Sequence, residues 1–213
     1  MAVVADSDFL LYSYNLLLFN KIQIFILEVS KVKDVSKIAK VVTKVVEVFH
    51  WVAVVLMAAA TICSVAAPSW VGYFVSFDAK ECCGAELAIY GFNVNAAVTD
   101  GKVDSITFLV FGIGAVLILA LMAMIFRNLN LIIKKSEGTT PFQLDNVRML
   151  REIGIFSIAV PVVSLIMSII TRLVSGAEVS SSFEGLVLGV VVLCITQFFA
   201  HGVEIEKDID GLV

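Results

Sequence analysis

The sequence predicts an all-α integral membrane protein: a four-helix transmembrane bundle with a small β-containing extracytoplasmic loop. Three observations lead there, namely a composition too apolar for a soluble domain, four apolar runs of spanning length, and a lopsided placement of Lys and Arg. The 213 residues are 60% hydrophobic and 16% charged, with a mean hydropathy of +0.99, against roughly 45–50% apolar and 25% charged for soluble domains. A water-soluble fold has too little polar surface to cover such a chain.

The apolar runs are 48–67, 106–126, 153–171 and 183–200, each near the ~20 residues needed to cross about 30 Å of hydrocarbon. None has Asp, Glu, Lys or Arg in its central portion, and Glu184 stands only at the edge of the fourth. Pro161 falls in the third run and predicts a kink, because proline removes a backbone donor.

Loops rich in Lys and Arg stay cytoplasmic. Twelve of the fifteen fall in the N-terminal arm 1–47, the middle loop 127–152 and the tail 201–213. The other three are Lys80 and Lys102, in the outer loop 68–105, and Arg172. Both termini are therefore expected in the cytoplasm, with the arm as one region and 48–213 as a four-span membrane domain.

The segment from Phe9 to Leu27 is also apolar, but Asn15, Asn20, Lys21 and Gln23 interrupt it. Central Asn and Lys are costly in lipid, which favours a helix on the inner membrane surface, or an extension, over a fifth span. From Ser30 to Phe49, apolar residues recur at helical spacing opposite Lys33, Lys37, Lys40 and Lys44. This predicts a basic amphipathic helix, which either simply anchors topology ahead of the first span or is drawn to anionic headgroups or an acidic partner.

The outer loop mixes aromatic, β-branched and glycine residues in Trp70–Phe77 and Leu87–Val94, and Asp100-Gly101 is a turn signal. Short strands forming a cap are expected. Cys82 and Cys83 are adjacent there, without the cluster of basic groups that activates a thiol. In the middle loop, Thr140, Pro141 and Gln143 read as N-cap, first helical residue and capping-box partner. The following helix places Asp145/Arg148 and Arg148/Glu152 at pairing distance.

Two stretches resemble a known family. Gly138-Thr139-Thr140-Pro141-Phe142 followed by the Arg148- and Arg151-bearing helix to Gly154 is one, and the acidic ending Gly202-Val203-Glu204-Ile205-Glu206-Lys207-Asp208-Ile209-Asp210-Gly211-Leu212-Val213 is the other. Together they are similar to bacterial membrane proteins of domain of unknown function 2975, over roughly residues 45–213. The resemblance implies four spans in a bacterial inner membrane, no established activity, and a helix-turn-helix regulator as cytoplasmic partner. It marks Thr140, Pro141, Phe142, Arg148, Arg151, Gly202, Glu204, Asp208 and Asp210 as candidate partner or structural positions.

No chemistry-bearing constellation accompanies these motifs. There is no HExxH, nucleophile elbow or phosphate-binding glycine loop. The two histidines, His50 and His201, lack metal-ligand spacing. The chain is expected to be no enzyme and to need no cofactor or metal. A net charge of −4 gives no overall basic excess for direct nucleic-acid binding.

Packing signals are plainer. Gly185 and Gly189 form a GxxxG, and Ser164/Ser168 repeat the small-residue spacing, so close helix contacts are expected, within one bundle rather than between chains. The reading is a sensor, regulatory or immunity-type membrane protein that relays an extracytoplasmic peptide or envelope signal to a cytoplasmic partner. Its rival is a small permease or accessory subunit of a transporter, which calls for a water-filled cavity lined by Ser157, Ser164, Thr171 and Thr196.

Overall fold

The computed structural model describes residues 3–66, 85–99, 102–137 and 140–210; side chains are described from Val35 onward, except at 98–99, 102 and 210. Trp70–Phe77, Cys82 and Cys83, Gly138 and Thr139, and the Lys33 side chain lie outside this description. The chain divides into two units, Met1–Val42 and Thr43–Val213.

Helix α1 covers Val3–Ala66. The segment 9–27 is thus helical, and the helix has no break at the expected boundary between arm and span. After the strands come α2 (Ser105–Lys135), α3 (Leu144–Ser175) and α4 (Glu184–Asp210). Among the described residues, four helical stretches are long and apolar enough to cross a membrane: Val35–Ala66, Ser105–Lys135, Leu144–Ser175 and Glu184–Ile209.

Each terminus has a local cause. Asp104 caps α2 by accepting from the Thr107 N–H at 3.0 Å and the Thr107 hydroxyl at 2.7 Å. Gly176, in the left-handed region at φ 67°, closes α3. Pro161 sits inside α3, and the helix continues through it to Ser175.

The helices invert the amphipathicity of a soluble protein. On α1, Glu47, His50, Thr61 and Ser64 are buried, while Val45, Phe49, Val52, Val55 and Ile62 are exposed. On α3, Asn146, Ser157, Ser164 and Thr171 are buried, while Leu165, Ile166, Ile169 and Leu173 are exposed. Helix α2 buries mainly apolar residues and supplies half of the core cluster, Val110, Phe111, Ala115 and Ile118, beside Phe92 and Val94 of the sheet and Val160 and Met167 of α3. The arm's apolar positions Val35, Ile38 and Val42 are exposed as well, so its described part has no buried apolar face.

Strands β1 (Ala85–Ile89) and β2 (Phe92–Ala96) form an antiparallel hairpin, and β5 (Glu178–Ser181) adds to the other side of β2. Two short strands, β3 (Val98–Thr99) and β4 (Lys102–Val103), pair antiparallel, while Asp100 and Gly101, where a turn is predicted, lie outside the described residues. Period-2 alternation gives the three-stranded sheet two faces. Phe92, Val94 and Ala96 are fully buried, whereas Glu86, Asn95, Glu178 and Ser180 are exposed.

The sheet lies against the helices rather than capping them. Phe92 stacks on Phe111 with ring centroids 5.4 Å apart, and a Cβ at Gly114 would stand 2.9 Å from the Phe92 ring. The space exists because α4 begins low on α3: Gly185 packs at Ser157 and Pro161. The roughly 20 Å of α3 beyond Pro161, at 1.5 Å per residue, therefore pack on β2 and β5. Strand β5 had no strand signal in the sequence. Its four residues Glu178-Val179-Ser180-Ser181 are too short and polar to stand out, and only pairing with β2 orders them.

The capping expectation at Thr140 is corrected. Helix α3 begins at Leu144, with Gln143 as N-cap and no side-chain cap bond. Asn146 instead fixes the approach, donating to the Pro141 carbonyl at 3.0 Å and to the Ser136 hydroxyl at 3.3 Å. Tertiary contacts of Thr140 and Phe142, described below, hold the turn away from the helix axis.

Candidate functional site

The hairpin turns through Tyr90 and Gly91, which both have positive φ, 43° and 80°. A two-residue turn between Ile89 and Phe92 needs that geometry. Glycine adopts it freely, but tyrosine does not, at a cost on the order of 1 kcal/mol. Contacts with α1 offset that cost. The Tyr90 ring stacks on His50, with centroids 5.7 Å apart, and the imidazole also meets Phe126 at 5.3 Å.

The hydrogen bonds at His50 fix its tautomer. Nδ1 lies 2.7 Å from the Val46 carbonyl, which can only accept, so Nδ1 carries a proton. In the neutral ring Nε2 then accepts from the Tyr90 hydroxyl at 2.5 Å. Burial pushes the Tyr90 phenol up from its ordinary value, which keeps that hydroxyl a donor.

Beside Tyr90 a cavity of about 580 Å³ opens between the hairpin, α2, α3 and α4. Its polar wall is Tyr90, Asn93, Ser157, Ser182 and Glu184, and its apolar wall includes Met122, Ile125, Val160 and Leu188. The N-terminus of α4 contributes few free donors. The Glu184 N–H goes to the Ser182 hydroxyl at 3.3 Å, and the Leu186 N–H to the Phe183 carbonyl at 3.0 Å.

A glycine-lined seam runs from this cavity toward the other end of the molecule. A Cβ at Gly185 would stand 2.9 Å from the Ser157 carbonyl oxygen, and one at Gly189 2.8 Å from the Gly154 carbonyl oxygen. Gly154 in turn faces Leu193, where a Cβ would approach to 2.7 Å. The two helices therefore meet backbone to backbone, which only small residues permit.

The seam ends at a latch. Phe142 covers Gly202, where a Cβ would stand 2.6 Å from Cε1 of the ring, and meets Phe199 with centroids 5.5 Å apart. Thr140 donates to Glu206 at 3.1 Å. The turn before α3 and the acidic end of α4, read separately in the sequence, are thus one site.

The other singled-out residues spread around it. Arg148 pairs with Glu152 at 3.1 Å, and Glu152 also accepts from buried Asn128 at 3.0 Å. Asp145 pairs with Lys135 rather than Arg148. A groove of about 270 Å³ between α2 and α3 gathers Arg127, Lys135, Asp145, Arg148 and Glu152. Arg151 and Asp208 are exposed, and the Asp210 side chain lies outside the described residues. Glu204 lies 3.2 Å from His201, both exposed. Lys44 pairs with Glu47 at 3.0 Å, and Lys37 and Lys40 are on the described part of the arm.

Of the polar set that a transport path would use, only Ser157 lines the cavity. Thr171 and Thr196 turn their hydroxyls back to their own helix, to the carbonyls of Met167 and Val192, both at 2.8 Å. Ser164 and Ser168 are buried without a partner among the described residues. Among the described residues no three His, Cys, Asp or Glu side chains cluster as metal ligands.

Sequence reasoning did not find the cavity. Its residues come from four separate elements, and the only local signal was the Tyr90-Gly91 turn. Comparison with protein-family profiles, curated proteins and solved structures gave no match.

Proposed function

We propose that the chain is a four-span protein of a bacterial inner membrane, with both termini in the cytoplasm, and acts as a non-enzymatic sensor or regulator. The inverted helix faces support the membrane reading, since apolar side chains turned outward are stable only against lipid or protein. One observation carries the sensor reading: the seam of Gly185, Gly189 and Gly154 joins the cavity beneath the hairpin to the Phe142–Gly202 latch. A ligand that spreads the α3–α4 pair at Gly185 would loosen or tighten the latch where a cytoplasmic partner docks. The resemblance to domain of unknown function 2975 supports a helix-turn-helix regulator as that partner.

The test is photo-crosslinking in cells from Pro141 and Asp208, with identification of captured chains by mass spectrometry. The relay reading expects a helix-turn-helix regulator whose capture changes when Leu188→Trp fills the cavity. Capture of transporter subunits, insensitive to Leu188→Trp, would replace it with the accessory-permease reading.

A further inference from the structure

We propose that the cavity beneath the hairpin binds an ammonium group carried on a short apolar body, with Glu184 as its counter-ion. The volume of about 580 Å³ lies within the range of small-molecule sites, about 300–1,000 Å³. The polarity of the lining selects the charge. A helix N-terminus ordinarily draws anions through free N–H groups, but here two of those groups are already bonded to Ser182 and Phe183.

Among the described residues the one ionic group in the lining is the Glu184 carboxylate, and no described Lys, Arg or His shares the wall. Glu184 has no ion-pair partner among the described residues. The Tyr90 hydroxyl is committed to His50, so Tyr90 offers the cavity a ring rather than a free donor. A carboxylate and an aromatic ring lining one cavity suit a cation, which gains from both. The hydroxyl oxygens of Ser157 and Ser182 and the amide oxygen of Asn93 can accept from an N–H, and the apolar lining of Met122, Ile125, Val160 and Leu188 takes the hydrocarbon part.

The same chemistry is available from a free amine or from the ammonium headgroup of a lipid. The two sources differ in what competes. The inference concerns the cavity that the relay reading uses, but its test involves no cytoplasmic partner, so either can fail while the other stands.

The experiment uses the full chain in nanodiscs of a neutral galactolipid, which has no ammonium group. Binding of hexylammonium, a primary ammonium at neutral pH, is measured against hexanesulfonate, with empty nanodiscs subtracted. Saturable binding of the cation, at least tenfold tighter than the anion, is expected. Glu184→Gln should weaken it tenfold or more at unchanged Tm, and Leu188→Trp should block it.

Repeating the measurement with phosphatidylethanolamine in the disc separates the sources. A tenfold loss means that the lipid headgroup competes for the site, and an unchanged affinity means a free amine; both outcomes support the proposal. Equal affinity for cation and anion, no saturable binding above empty discs, or an unaffected Glu184→Gln would overturn it.

Discussion

Phe142 covers Gly202 so closely that a side chain at that glycine would stand 2.6 Å from the ring's Cε1. This contact, with the Thr140–Glu206 hydrogen bond, ties the turn before α3 to the last third of α4. The sequence between the two points supplies most of α3 and α4, so one aromatic ring closes a loop of some sixty residues, spanning 142 to 202.

Gly202→Val should displace Phe142 and cost about 1–3 kcal/mol, the usual range for overpacking. The ring lies at the surface and can swing away, which places the effect toward the lower end. Phe142→Ala in the same chain removes the clash, so the double variant should lose less than the sum of the two single losses. Thermal unfolding in detergent gives the coupling. Strict additivity would mean that the ring and the glycine do not act as a latch.

How far the sequence discloses the fold depends on the range of the interactions involved. The apolar runs mark all four long helices, because length and hydropathy are local properties. The ends of the helices are less legible. Helix α2 extends to Lys135 and α3 starts at Leu144, beyond the apolar windows, since polar turns continue a helix wherever a neighbouring helix supports them.

The Thr140 cap expected from the sequence does not form, for a related reason. A local capping box competes with docking of Phe142 onto Gly202, and docking prevails. Strand β5 and the cavity were invisible because their stabilising partners lie about 85 positions away in the chain, as with Val94 and Val179.

Tyr90→Phe keeps the ring stacked on His50 and removes the hydroxyl. His50 Nε2 is then buried without its partner, at a cost of about 1–3 kcal/mol. The loss should be local: amide exchange in β1 and β2 should quicken, while α2 and α3 stay protected. Tyr90→Gly relieves the positive φ but also loses the ring, so it should destabilise more than Tyr90→Phe. If Tyr90→Gly were the more stable of the two, turn strain would outweigh the His50 contact.

Asp104 is the group outside the spans whose titration stability should follow. The Thr107 hydroxyl and N–H hold its carboxyl below the ordinary 3.8. A carboxyl with a lowered folded pKa contributes stability that is complete above its unfolded value and is lost as pH falls through the folded one. Asp104→Ala should therefore cost about 1 kcal/mol near neutral pH and progressively less as pH drops below 3.8. Asp104→Asn keeps an uncharged acceptor, so most of the cap should survive at neutral pH and the acid dependence should vanish. A gap between wild type and Asp104→Ala that stays constant from pH 7 down to acid unfolding would show that the charge is not what holds this helix end.

The outward apolar faces predict a depth as well as lipid contact. From Leu173 down to the level of the Phe142–Phe199 contact, α3 rises roughly 45 Å at 1.5 Å per residue, while the hydrocarbon core is only about 30 Å thick. Part of that belt must leave the hydrocarbon. At the Leu173 end, the exposed residues Glu86, Asn95, Glu178 and Ser180 of the adjacent sheet require water. Ile155 and Val187 lie near the middle of the belt, since Gly189 packs at Gly154 and Ile158, and both side chains are exposed. Bimane attached at Ile155→Cys and Val187→Cys should be quenched most by lipids brominated deep in their chains. The same probe at Leu173→Cys should respond mainly to shallow bromines and to aqueous iodide. Deep quenching at Leu173 equal to that at Ile155 would put the polar face of the sheet in the bilayer, and the depth assigned to the sheet would then be wrong.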